Sequence, residues 1–311
     1  MLSATPFHPA VNAVLPRSGL SRWPVPPLLW ATAAIHAGAV LSLLAVPDQW
    51  PWVVAAIALN HAVLTAVGLW PRSTALGENL VRLPPAAARR REVALTIDDG
   101  PDPQVTPAVL DLLDAAGARA TFFCIAERAR LCPQLVREIV RRGHAVENHS
   151  HVHGHHFSLL GPRGFAREIL AAQTILAGIA GDAPRFFRAP AGLRNPFLAP
   201  VLHRLGLVLA SWTRRGFDTR ERDPQRVLQR LTRGLAAGDI LLLHDGNCAR
   251  DAEGRAVILT VLPALLAELR RQQLVPVTLA RSSRRAQAVR SMPWCRVMQR
   301  CSGRGQGIAP A

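Results

Sequence analysis

Val93-Ala94-Leu95-Thr96-Ile97-Asp98-Asp99-Gly100-Pro101 decides how the rest of the chain is read. A short apolar run that ends on two carboxylates and a Gly-Pro pair reads as a β-strand entering a turn. Downstream, strand and helix signals alternate. The apolar periodicity predicts helices over 107–116, 134–142, 164–179, 199–205, 224–236 and 258–271, with Gly117, Gly143 and Gly206 placed as C-terminal stops. Between them lie strand-like runs at 120–125, 145–146, 207–212, 239–244 and 274–279. Strand–helix alternation argues for a parallel sheet with helices outside it. The strand runs are apolar without alternation, as strands covered on both faces are. The expected class is therefore α/β, and polar clusters recur just after strands, where parallel barrels place their chemistry.

Upstream of this stretch the chain changes character. No Asp, Glu or Arg occurs in 23–47 or 49–71, and the chain of 311 residues contains no lysine at all. Each segment has roughly the 20 apolar residues that a helix needs to cross a bilayer. Trp23, Trp30, Trp50, Trp52 and Trp70 lie near the segment ends, as interfacial aromatics do. Pro47-Asp48-Gln49-Trp50-Pro51 between them forms a tight turn, so 23–71 is expected to be a helical hairpin that spans twice. His36, Asn60 and His61 within it are expected to face the partner helix. The expected organisation is a flexible lead-in (1–22), the hairpin (23–71), a basic linker (72–91), the α/β domain (92–280) and a basic disordered tail (281–311).

The net charge is +16, all of the fixed cations being arginine. A GC-rich genome accounts for most of that bias. The remaining reading is attraction to an anionic surface, since a guanidinium donates two parallel hydrogen bonds to phosphate. A nucleic-acid binder is disfavoured: the chain has no tyrosine, no finger spacing and no basic patch interleaved with aromatics. The five cysteines form no C-x-x-C pair, which leans toward a reducing compartment.

Three clusters carry chemistry. In Asp98-Asp99 one carboxylate can bind a cation while the other stays free as a base. His149 and His153 belong to a run of five histidines within eight residues, at a spacing that one helical turn would bring to one side. Two histidines and a carboxylate are a usual set for a catalytic divalent ion. His244, ending the strand-like run 239–244, can act as a general acid.

Together these motifs resemble the NodB-type polysaccharide deacetylases of carbohydrate esterase family 4. Thr96–Pro101 is similar to the family's Thr-Phe-Asp-Asp-Gly-Pro, with Ile97 for Phe. His149-Ser150-x-x-His153 is similar to its second motif, Arg188-x-Pro190-x-Gly192 to its third, and Leu241 to His244 to its last. The fourth motif matches poorest and is placed at Trp212 and Asp218. The resemblance covers 92–280 and implies a distorted (β/α) barrel. It implies that Asp99, His149 and His153 hold a divalent metal, with zinc as first choice. It further implies Asp98 as general base, His244 as general acid, Arg188 as the residue orienting Asp98, the N–H of Ala191 as an oxyanion donor, and Leu243 or Leu241 at an acyl pocket. The expected activity is removal of an N-acetyl or N-formyl group from an amino sugar of a polysaccharide or a lipid-linked glycan. The rival is a catalytically inactive sugar- or lipid-binding membrane module, disfavoured because binding alone needs neither base nor acid. The arginines flanking the hairpin, against Asp48 alone in its turn, favour a bacterial inner-membrane protein with a cytoplasmic catalytic domain, the periplasm being the alternative.

Overall fold

A computed structural model describes residues 22–281. The lead-in before residue 22 and the arginine-rich tail beyond 281 lie outside the described residues. The chain begins with a helical hairpin, α1 (Pro27–Ala45) and α2 (Trp50–Leu69), joined at the Pro47–Gln49 turn. Both helices are long and apolar enough to cross a membrane, and little of either is buried against protein. Their polar groups meet at the helix–helix contact: Thr32 Oγ1 lies 3.1 Å from Asn60 Oδ1, and the His36 and His61 rings are 5.4 Å apart edge to face.

The remainder alternates strand and helix as the apolar pattern requires. A short helix α3 (Pro85–Arg89) leads into β1 (Glu92–Asp98), followed by α4 (Thr106–Ala115), β2 (Thr121–Cys124), α5 (Ala126–Leu131), α6 (Pro133–Arg141) and β3 (Ala145–Asn148). Then come α7 (Pro162–Ala180), β4 (Phe186–Phe187), α8 (Leu198–Leu205), β5 (Val208–Leu209), β6 (Arg214–Arg215), α9 (Pro224–Thr232), β7 (Ile240–His244), α10 (Val257–Arg271) and β8 (Val275–Val277). The strands pair in parallel in the order β5-β4-β3-β2-β1-β7-β6, with β8 against the start of β1. This curled parallel sheet with helices outside is the expected distorted barrel.

Strand alternation separates two cores. Val93, Leu95 and Ile97 of β1 and Leu241 and Leu243 of β7 pack outward against α4, α6, α9 and α10. Ala94, Ile240 and Leu242 pack inward with Phe123 and Trp212. Asp98 and His244 continue the inward series and are register partners across β1 and β7. The inner face of the two central strands therefore ends on a carboxylate and an imidazole.

Three expectations need correction. The segment 72–91 is not a separate linker. Leu76 and Ala87 are fully buried, and Leu80 pairs with Ala210 just after β5. Next to it the Val81 carbonyl accepts the Thr213 hydroxyl at 2.7 Å, just before β6. The segment thus fills the gap between the two sheet edges: the Leu80 N–H donates to the Leu209 carbonyl, and Ser211 leaves the expected strand to donate its N–H to the Leu80 carbonyl. The helix expected over 224–236 stops at Thr232, since Gly234 turns the chain with φ of +68°. Helix α5 had no apolar signal, because its six residues include Glu127, Arg128 and Arg130 and bury only Ala126 and Ala129.

Candidate active site

The site lies at the C-terminal ends of β1, β3 and β7. Asp98 is the last residue of β1, and Asp99 turns away from the strand with φ of +71°. Adjacent carboxylates would point to opposite faces in a continuing strand. The left-handed Asp99 instead lets both face the interior.

Asn148 ends β3, and the histidine loop follows. The loop is not a helical turn as the four-residue spacing suggested. Ser150 and His153 both take positive φ, the Asn148 side chain accepts the Ser150 N–H at 2.9 Å, and the Ser150 hydroxyl accepts the His153 N–H at 3.0 Å. The chain doubles back and brings the two rings to 4.9 Å between centroids. His149 Nε2 lies 3.1 Å, and His153 Nε2 3.3 Å, from Asp99 Oδ1. The three ligand atoms lie within 4.8 Å of one another, close enough to share one ion.

The donor chemistry fits a divalent metal. His149 Nδ1 lies 2.9 Å from the Arg188 carbonyl, which fixes the proton on that nitrogen and leaves the Nε2 lone pair facing Asp99. Burial alone would raise the Asp99 pKa; when His149 is protonated on both nitrogens, as it can be with no ion between them, its hydrogen bond and charge outweigh burial and hold the carboxyl below the usual range. Asp99 Oδ2 accepts from Asn247 Nδ2 at 3.0 Å, and Arg128 ties both together, donating to the Asp99 carbonyl and to Asn247 Oδ1 at 2.8 Å each. Neither Asn247 nor Arg128 was found by sequence reasoning. Asn247 sits three residues after His244 in the same loop, which was the available signal; for Arg128 on α5 there was none. His151, which shares the four-residue spacing with His155, turns instead toward Glu127, 3.6 Å away.

Asp98 is held apart from that trio. Arg188 is fully buried and donates through Nη1 to Asp98 Oδ1 at 2.6 Å and to Thr96 Oγ1 at 2.8 Å, and through Nε and Nη2 to the Ala210 and Ser211 carbonyls. Its guanidinium stacks on Phe123, 4.1 Å from the ring centroid. Four directed bonds fix the fork in one orientation, and with it Asp98 Oδ1. The other oxygen, Oδ2, is left 3.8 Å from His149 Nε2.

Asp218, the poorest motif match, falls directly behind His244. One of its oxygens accepts the His244 backbone N–H at 2.7 Å and the other lies 2.8 Å from Nδ1. Burial opposes the charged imidazole, but the Asp218 carboxylate outweighs it and raises the His244 pKa. Trp212 lines the inner face and touches the turn carrying Ala191: a Cβ on Gly192 would come within 2.5 Å of its ring. Ala191 is exposed, with φ of +54°, on the Pro190–Gly192 turn.

Leu243 is not where the sequence reading put it. It packs outward among the helices with Leu241, opposite Ile97 of β1. Leu242, opposite Thr96, is the leucine that faces inward beside Trp212.

Residues 86–210 match the polysaccharide deacetylase family. A peptidoglycan-N-acetylglucosamine deacetylase of Bacillus cereus is 32% identical over 184 residues, covering 58% of this chain and 82% of the relative. A chitooligosaccharide deacetylase of Bradyrhizobium is 32% identical over 189 residues, covering 58% and 86%. Among solved structures, a family 4 carbohydrate esterase from Streptomyces lividans superposes with a TM-score of 0.54 at 32% identity, over 60% of this chain and 91% of that one. At that identity and coverage of its relatives, the chain is a member of the polysaccharide deacetylase family.

Proposed function

We propose that the protein is a metal-dependent hydrolase that removes the N-acetyl group from an amino sugar at a membrane surface. The observation that carries this reading is the division of labour between two adjacent carboxylates. Asp99 meets both histidines, while Asp98 is kept out of that set by the buried Arg188. A divalent ion at Asp99, His149 and His153, zinc by its donor set, supplies a Lewis acid for the amide carbonyl and the attacking water.

The chain's own residues do the rest. Asp98 takes the proton of the water as the new C–O bond forms. The N–H of Ala191 donates to the oxygen that gains charge. His244, kept protonated by Asp218, gives its proton to the nitrogen as the C–N bond breaks, releasing acetate and a free amino sugar. Leu242 and Trp212 border the space for the acyl methyl.

The hairpin supports a membrane location. Trp30, Trp50, Trp52 and Trp70 are each more than half exposed, as are Leu41, Leu44, Leu59 and Leu69. An apolar surface of that extent calls for lipid or another protein around it. Arg72, Arg82 and Arg89 to Arg91 follow the hairpin, and Arg22 precedes it, whereas its turn holds only Asp48. That bias supports an inner-membrane protein with the catalytic domain in the cytoplasm.

The test is amine release from N-acetylated and N-formylated glucosamine oligomers by the full chain, with metal content measured on the same preparation. Asp98→Asn keeps the metal and loses about 10²–10⁴-fold of the turnover. Amine release by Asp98→Asn at the wild-type rate overturns the reading.

A further inference from the structure

On the side of the site nearest the foot of the hairpin stand three arginines that, among the described residues, pair with no carboxylate. Arg215 on β6 is the register partner of Leu242, so its side chain lies on the inner face with Leu242 and Trp212. Its guanidinium stacks 5.4 Å from the Trp212 ring and 5.0 Å from Phe217. Its neighbours are neutralised: Arg214 pairs with Asp239, Arg188 with Asp98 and Arg230 with Glu221. Among the described residues no carboxylate pairs with Arg215, and its buried Nε has no partner.

Two more arginines join it from the foot of the hairpin. Arg72, exposed, reaches the Thr213 carbonyl at 3.2 Å. The residue before it, Pro71, abuts the Gly192 turn together with Trp212. Arg194 is only 3% exposed, yet Nε and Nη1 are unpaired and its single bond is to the Ser73 carbonyl. Its backbone is pinned to the last turn of α2, donating to the Gly68 carbonyl at 3.2 Å. Arg72 and Arg215 both attach to the Trp212–Phe217 stretch, Arg194 follows the Gly192 turn that abuts Trp212, and among the described residues none of the three pairs with a carboxylate. Such a site is completed by an anion, and the guanidinium fork suits phosphate.

The geometry points to a phosphate-binding subsite, formed by Arg72 and Arg215 and backed by Arg194, that holds the phosphate of a lipid-linked amino-sugar substrate. The inference rests on the deacetylase reading for the sugar it presents to Asp98 and His244. The lipid follows from position: Arg72 stands three residues beyond the end of α2, at the level where a bilayer carries its phosphates. A phosphosugar on a lipid carrier would keep its chain in the membrane, its phosphate at these arginines and its N-acetyl group inside the barrel.

Three probes separate the possibilities with the full chain in detergent: N-acetylglucosamine 1-phosphate esterified to a long-chain alcohol, its methyl ester, and the long-chain alkyl N-acetylglucosaminide without phosphate. The expected result is that kcat/KM for the first exceeds that for the third by about 10–100-fold, the worth of one or two charge-assisted bonds. Arg215→Ala and Arg72→Gln should lower that ratio toward one, chiefly through KM, and Arg215→Lys should restore part of it. Equal rates with the methyl and long-chain phosphates assign the phosphate but overturn the lipid. A ratio near one in the wild type, or a ratio unmoved by both variants, overturns the subsite. Amine release from none of the probes refutes the deacetylase reading instead. Binding of dodecyl phosphate then decides the subsite, and equal affinity in wild type and Arg215→Ala overturns it.

Discussion

Asp218→Asn isolates the electrostatic support of the proposed acid. Asp218 is fully buried and uses both oxygens on His244, one for the backbone N–H and one for Nδ1–H. Asparagine offers one acceptor where two are needed. If its oxygen keeps the backbone N–H, its NH₂ faces Nδ1, and an imidazolium with protons on both nitrogens has no place. The charged state loses a carboxylate in direct contact, which is worth about 1–3 pKa units. The sign follows from the role. A general acid works while protonated, so activity falls as pH rises through its pKa, and Asp218 holds that pKa up. Removing the carboxylate therefore moves the alkaline limb of the kcat/KM profile down by about 1–3 pH units. At a fixed pH above the shifted limb the rate falls about tenfold per unit. The assay is fluorescent detection of released amine from pH 5 to 10, with metal content checked in parallel. An alkaline limb at the wild-type pH, in a variant that keeps its metal, would refute Asp218 as the partner of a catalytic His244.

His149→Ala and His153→Ala should each abolish metal retention through gel filtration, and normal metal content in both would overturn the trio. Asn247→Ala frees the second oxygen of Asp99 and should weaken metal affinity about 10–100-fold, as loss of an outer hydrogen bond to a ligand does; a chelator titration that matches wild type would remove Asn247 from the site. Alkaline phosphatase fused after residue 280 should be inactive in intact cells, and high phosphatase activity would place the catalytic domain outside the cytoplasm.

The candidate site was legible because it sits at strand ends, where polar residues interrupt apolar runs: Asp98-Asp99 at the end of β1, His149 after β3 and His244 at the end of β7 each broke a pattern. What could not be read was orientation. β7 is apolar on both faces, so nothing in Ile240-Leu241-Leu242-Leu243 marks which leucine looks inward, and pairing with Thr96 of β1 settles it for Leu242. The spacing of His149 and His153 was informative, but their meeting depends on two positive-φ residues, not on a helical turn. Two-residue strands such as β4 and β6 exist only through their neighbours, and local propensity carries little trace of them. Segment 72–91 looked like a linker because its arginines dominate, whereas Leu76, Leu83 and Ala87 between them are buried.

The seam between that segment and the sheet edges also orders events during biosynthesis. Thr213 and Val81, which meet there, are 132 residues apart in the chain. Contacts so distant in sequence are late to form, because the loop between them must first be closed. The hairpin leaves the ribosome well before β6 and β7 are made. The barrel therefore completes itself against a strip of chain already tethered to the hairpin. Substitutions along that strip should lower the yield of assembled protein more than its final stability, and exchanging the hairpin for an unrelated anchor should do the same unless residues 70–84 travel with the barrel.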